Sequence, residues 1–149
     1  MGLDGKVCII TGGGSGIGRA SAMMMAEEGA TVVVVGRTAS KVNDVKAEIE
    51  AAGGRSASFA LDVADHAAVN LMVRSVKDEF GRIDVVVNNA GHSSPHRKLL
   101  TTTPEEIRSV IDSNLVGTIF CTQAVMPSML EAGQGTVINV SSLAGVTPG

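Results

Sequence analysis

The sequence predicts an α/β chain: a doubly wound parallel sheet of five strands in the order 3-2-1-4-5, with helices on both faces. Three observations carry this expectation. Short apolar runs alternate with segments of helical period along the 149 residues. The run Thr31-Val32-Val33-Val34-Val35 is unbroken and β-branched, as a strand covered on both faces should be. The segment Thr11-Gly12-Gly13-Gly14-Ser15-Gly16-Ile17-Gly18 follows the apolar run Val7-Cys8-Ile9-Ile10 directly, which reads as strand, glycine-rich turn, helix.

Residues 7–10 form the first predicted strand. The helix after it is expected from residue 16 to about residue 28, with Gly29 stopping it in a left-handed conformation. Residues 31–35 make strand two. Residues 40–52 read as a helix with Val42, Val45 and Ile49 along one side, ended by Gly53-Gly54. Residues 56–61 make strand three. Asp65 then caps a helix carrying Val69, Met72, Val73, Val76 and Phe80 at helical spacing, closed by Gly81. Residues 84–87 make strand four. After a long loop over 88–102, Thr103-Pro104-Glu105-Glu106 is a helix start with a cap, a proline in the first turn and a capping box. A single helix is expected from there to about residue 130, ending before Gly133, and residues 136–140 make strand five. No linker, repeat or low-complexity tract divides the chain, so residues 1–149 are expected to form one domain.

Composition narrows the function classes. Twelve basic against fifteen acidic side chains give a net charge of −3 with no basic block, which argues against a nucleic-acid surface. No apolar run reaches membrane-spanning length, and the first residues lack the features of a secretion signal. Gly2 is not followed by Ser or Thr at position 6, which is Lys6, so myristoylation is not expected. Cys8 and Cys121 read as buried apolar thiols in a reducing compartment, and the cytoplasm is the expected location. His66, His92 and His96 have no Cys or carboxylate spaced with them for a metal, although His92 and His96 lie where a substrate entrance would be.

The glycine turn is a device for holding a pyrophosphate. Gly12 suits a positive φ, while Gly16 and Gly18 remove side chains between backbone and phosphate and between helix and strand. With Ser15 and Ile17 they are the candidate contacts, because the helix that starts here points its free N–H groups at the anion. The spacing is longer than G-x-G-x-x-G. A P-loop is excluded, because Arg19 stands where Lys-Ser/Thr would be required. Strand two ends Val35-Gly36-Arg37-Thr38 without the carboxylate that would chelate ribose hydroxyls; Arg37 instead suits a 2′-phosphate, so NADP(H) is expected over NAD(H). At the end of strand three, Asp62 is placed to accept from an adenine amino group and Val63 to pack on the ring. After strand four, Asn88-Asn89-Ala90-Gly91 sits at the carboxyl edge, where Ala90 and Gly91 admit a ring. Asn114 is a poor helix-interior residue and, if buried, must find partners. Val140-Ser141-Ser142-Leu143-Ala144-Gly145 sets a hydroxyl at the end of strand five.

Taken together, these motifs resemble the short-chain dehydrogenase/reductase family. Thr11-Gly12-x-x-x-Gly16-Ile17-Gly18 is similar to its cofactor turn, Asp62 to its adenine contact, and Asn88-Asn89-Ala90-Gly91 to its NNAG element. Asn114 and Ser142 are similar to its catalytic Asn and Ser. The resemblance implies a Rossmann-type fold and hydride transfer between a nicotinamide cofactor and a small carbonyl or alcohol substrate. Ser142 would then bond the substrate oxygen, Asn114 would hold a water in the proton relay, and Asn89 would support the cofactor ribose. A homo-oligomer is implied for the complete protein, with residues 104–130 on its contact surface. The family also uses a Tyr and, four residues on, a Lys. The sequence contains no Tyr. The expectation is therefore a domain incomplete at its C-terminal end, without the family's later strands and inactive by itself. The alternatives are a nucleotide-binding module without dehydrogenase chemistry, or methyl transfer on a similar sheet, which leaves Arg37, Asn114 and Ser142 unexplained.

Overall fold

The computed structural model describes residues 2–96 and 98–143. The strands are β1 (Val7–Thr11), β2 (Thr31–Gly36), β3 (Arg55–Ala60), β4 (Val85–Asn88) and β5 (Thr136–Asn139), all parallel, in the order β3-β2-β1-β4-β5. The helices are α1 (Gly16–Glu27), α2 (Ala39–Ala51), α3 (His66–Phe80), α4 (Pro104–Ile111) and α5 (Gly117–Glu131). The predicted order and alternation are those observed.

The period-two geometry of a strand sorts the apolar residues between two layers. Val7, Ile9, Val33 and Val35 face one side and pack against Met72, Val73 and Val76 of α3 and Val125 and Met129 of α5. Cys8, Ile10, Val32 and Val34 face the other and meet Ala22 of α1 and Val42, Val45 and Ile49 of α2. This is why β1 and β2 show no apolar/polar alternation: both faces are interior. Helix ends follow the sequence signals. Asp65 accepts from the Ala68 N–H, Gly81 caps α3 at φ 75°, and Thr103 and Glu106 form the capping box of α4.

Two expectations are corrected. The single helix over 104–130 is broken: α4 and α5 are separated by a π-helical turn, Asp112–Val116. The extra residue lets the chain pass close to the loop after β3, where a Cβ on Gly117 would lie 2.5 Å from Val63 Cγ2. Asp84 is not the first residue of β4. It sits just before the strand as a buried clamp, accepting from the Val7 N–H at 2.9 Å, from Arg82 Nε at 2.7 Å and from Lys6 Nζ at 3.3 Å. The hydrogen bonds from Val7 and Lys6 tie the segment before β4 to the start of β1.

Candidate functional site

The site lies at the carboxyl edge of the sheet, where β1 and β4 are neighbours and the connections leave in opposite directions. Two loops meet there, and Thr11 joins them. Its hydroxyl donates to Val87 O and accepts from the Asn89 and Ala90 N–H groups, each at 3.0 Å. Asn89 Nδ2 in turn donates to Thr11 O at 3.0 Å and to Gly12 O at 3.3 Å. The Asn89 side chain is thus committed to the glycine turn.

Within that turn the glycines act for different reasons. Gly12 has φ 64°, and its missing Cβ leaves room for Ala90 Cα, which would otherwise lie at 2.9 Å. Gly18 has an ordinary φ, but any Cβ would collide with Gly12 O and Asn89 Nδ2. Gly16 has φ 52° with open space around it, so its backbone conformation, rather than a close neighbour within the protein, requires glycine. Ser15, at the N-cap of α1, makes no side-chain capping bond, and the first turn carries no acidic residue. The helix start is left ready for an anion.

The predicted site residues fall into two clefts that share Ala90 and Gly91. Gly12, Ser15, Arg37, Asp62 and Val63 line the first. Ile17, Asn89, Asn114 and Ser142 line the second, with a volume of about 690 Å³, within the range of small-molecule sites. Gly16 and Gly18 shape the turn without lining either. Ala144 and Gly145 of the strand-five motif lie outside the described residues.

In the first cleft Arg37 is exposed, and among the described residues no carboxylate lies within 4 Å of it. It follows the last residue of β2 and precedes Thr38, the N-cap of α2, which also makes no side-chain capping bond. Asp62 has one carboxylate oxygen engaged, accepting from the Ala64 N–H at 3.0 Å. In the second cleft, Asn114 is exposed. It lies in the π turn and clasps the backbone of His92, with Oδ1 accepting from His92 N at 2.9 Å and Nδ2 donating to His92 O at 3.0 Å. Each end retains capacity for one further hydrogen bond.

Three contributors were not singled out from the sequence. Thr11 links the two loops. Lys41 lines the first cleft from α2, packed so close to Gly14 that a Cβ there would lie 3.0 Å from Lys41 Cβ. Ser113 lines the first cleft from the π turn. The glycine-rich context marks Thr11 in the sequence; nothing local marks the other two.

Cys8 and Cys121 are buried free thiols. Burial pushes Cys8 up to about 11, with Asp84 adding to the shift and Lys6 opposing it, and pushes Cys121 up to about 12. Both are inert as thiolates at neutral pH. His96 Nδ1 meets Glu106 at 2.8 Å, while His92 lines the second cleft. Among the described residues there is no His, Cys, Asp and Glu cluster suited to a metal, and no helix is long and apolar enough to cross a membrane.

A parallel sheet in this order, with an uncapped helix start at the crossover, is a Rossmann-type fold of the nucleotide-binding class. The chain belongs to the short chain dehydrogenase family, whose model matches residues 6–149. It is 38% identical over 146 residues to 3-oxoacyl-[acyl-carrier-protein] reductase FabG of Thermotoga maritima, covering 98% of this chain and 59% of that protein. It is 45% identical over 139 residues to the short-chain reductase protein NovJ of Streptomyces niveus, covering 93% and 53%. Among solved structures, a metagenomic short-chain oxidoreductase in complex with NADP superposes with a TM-score of 0.93 at 39% identity, over 99% of this chain and 66% of that one. NAD+-bound xylitol dehydrogenase superposes with a TM-score of 0.94 at 31% identity, over 99% and 56%. The chain thus spans somewhat more than half the length of these curated relatives.

Proposed function

We propose that this chain is the cofactor-holding part of an oxidoreductase that uses NADP(H) in preference to NAD(H) and acts on a carbonyl or alcohol group of a small molecule. The observation that carries the reading is the division of the site residues between two clefts that meet at Ala90 and Gly91. The residues present suit such a dinucleotide. The uncapped start of α1 receives the pyrophosphate, aided by the Ser15 hydroxyl. The unpaired Arg37 clamps a 2′-phosphate, Asp62 accepts from the adenine amino group, and Val63 packs on the ring. Ile17, Asn89, Ala90 and Gly91 border the space for the second ribose and the nicotinamide. When bound, the cofactor supplies or takes up the hydride.

In this reading Ser142 hydrogen-bonds the reacting oxygen, and Asn114 fixes the backbone at His92 while its spare capacity holds a water. A serine hydroxyl is too weak an acid to deliver the proton unaided, and a positioned acid is worth about 10²–10⁴ in rate. With no Tyr in the sequence, residues 1–149 are expected to bind NADPH one to one by calorimetry and to show no NADPH oxidation across a carbonyl panel. Turnover by these residues alone overturns the account of the missing acid. Failure to bind NADPH overturns the cofactor reading.

Cofactor choice is tested separately. Arg37→Asp is expected to shift the ratio of NADPH to NADH affinities toward NADH by about ten- to a hundredfold, the worth of one charge-assisted hydrogen bond. An unchanged ratio removes Arg37 from the site. The buried thiols support a reducing, cytoplasmic setting, and the exposed Ile107, Ile111, Leu115 and Ile119 support a homo-oligomer.

A further inference from the structure

The polar side chains at the carboxyl ends of β4 and β5 form a hydrogen-bonded chain with one direction. Thr122 of α5 donates its hydroxyl hydrogen to Thr118 O at 2.8 Å. Toward Asn88 it can therefore only accept, and Asn88 Nδ2 donates to Thr122 Oγ1 at 3.0 Å. The second hydrogen of that Nδ2 goes to Asn139 Oδ1 at 2.9 Å. Asn88 and Asn139 are register partners in parallel strands, so their side chains share one face of the sheet. This order leaves Asn88 Oδ1 enclosed and without a partner among the described residues.

With Oδ1 engaged by Asn88, the Asn139 amide turns its Nδ2 away from β4, and among the described residues that group has no partner. Asn139 borders the second cleft together with Asn114 and Ser142. The described residues around this cleft include no Asp, Glu, Lys or Arg, and Ile17 and Val140 supply apolar wall. An amide N–H beside such a space suits a neutral oxygen acceptor. A carboxylate would find no counter-ion there, and a cation no acceptor charge. Asn114 and Ser142 have roles in the reading above; Asn139 has none.

We propose that Asn139 is a specificity-determining donor for the substrate: its Nδ2 bonds a second oxygen, an ether, hydroxyl or carbonyl group near the reacting carbon, while Ser142 bonds the reacting oxygen. Asn88 and Thr122 are positioning residues that act through Asn139 by fixing which end of its amide faces the cleft. This rests on the oxidoreductase reading above and narrows its substrate to small carbonyl or alcohol compounds that carry a further neutral oxygen. It also explains the enclosed Asn88 Oδ1. Turning the Asn88 amide over would satisfy that atom only if Asn139 turned as well, and the cleft would then meet an acceptor in place of a donor.

The test titrates the NADP+-saturated 149-residue chain with methoxyacetone and with methyl propyl ketone, in which a CH2 replaces the ether oxygen, and follows its isotope-labelled side-chain amides by NMR. The quantity read is the ratio of the two affinities, compared between variants so that differences in hydration cancel. The Asn139 amide signal, identified by its loss in Asn139→Asp, is expected to move with methoxyacetone and to stay nearly still with methyl propyl ketone. Asn139→Ala is expected to lower the preference for methoxyacetone by about three- to tenfold, one neutral hydrogen bond. Asn139→Asp, which keeps the acceptor for Asn88 and loses the donor, is expected to lower it at least as far. Thr122→Val, outside the cleft, is expected to lower it in the same direction, and Thr122→Ser to restore it. A wild-type ratio in both Asn139 variants, or in Thr122→Val, overturns the proposal, as does an equal loss for both ketones. If NADP+ binds and neither ketone does, the proposal falls while the dinucleotide reading stands. If NADP+ itself does not bind, that reading falls and this proposal with it.

Discussion

Gly18→Ala is expected to damage binding and stability together, and more severely than Gly16→Ala in the same turn. A methyl group at Gly18 meets Gly12 O and Asn89 Nδ2, two atoms already held by hydrogen bonds between the loops. Neither can retreat without opening the Asn89 contacts, so the cost is that of overpacking, about 1–3 kcal/mol in unfolding free energy. The displaced turn no longer presents its N–H groups correctly, and NADPH affinity should fall by about tenfold or more, equivalent to at least about 1.4 kcal/mol. At Gly16 the methyl group meets nothing within 4 Å and the penalty is conformational, about 1–2 kcal/mol for a non-glycine residue in the left-handed region. Urea denaturation and NADPH titration of both variants check this. Equal binding by Gly18→Ala and the wild type would show that the two loops yield more easily than their contacts imply.

Asp84→Ala is expected to lower stability at neutral pH by about 1.5–3 kcal/mol, the range for hydrogen bonds to a charged group, because it strands the buried Val7 N–H and leaves Arg82 and Lys6 without their shared partner. The effect should depend on pH. Burial alone would raise the Asp84 carboxyl, but the hydrogen bonds from Arg82, Val7 and Lys6 and the charge of Arg82 outweigh it and hold the group below the usual carboxylate range. A group depressed on folding stabilises the protein above its unfolded pKa, and that contribution disappears as pH falls through the folded value. The gap between wild type and Asp84→Asn should therefore be full at pH 7 and shrink in acid below the ordinary carboxylate range. A gap of constant size down to the acid limit would assign the loss to packing rather than charge.

Strand order and helix placement were legible because they rest on short-range patterns: the unbroken β-branched run at Thr31, the capping box at Thr103, the glycine stops at Gly29 and Gly81. Asp84 reads as a strand residue because its partners at Val7 and Lys6 are just over half the chain away, and nothing in the local run separates a clamp from a strand residue. The π turn was missed for a similar reason. It goes with the close approach of Gly117 to Val63, a tertiary contact. One trace of it does exist: Ile107, Ile111, Leu115 and Ile119 repeat every four residues, whereas a helix of about 3.6 residues per turn would carry such a stripe steadily around its axis. The glycine turn, Arg37 and the asparagine pair were visible as motifs, but the split into two clefts was not, since it depends on how β1 and β4 bring their loops together.

The Thr11 hydroxyl makes that junction mechanically continuous. One side chain engages a strand carbonyl and two loop amides, and Asn89 returns two contacts to the turn. The segment after β4 is a loop by shape but part of the sheet by linkage. Its disorder is removed when the domain folds, so a ligand arriving at the seam between the clefts meets a surface already set and loses little of its affinity to arranging it.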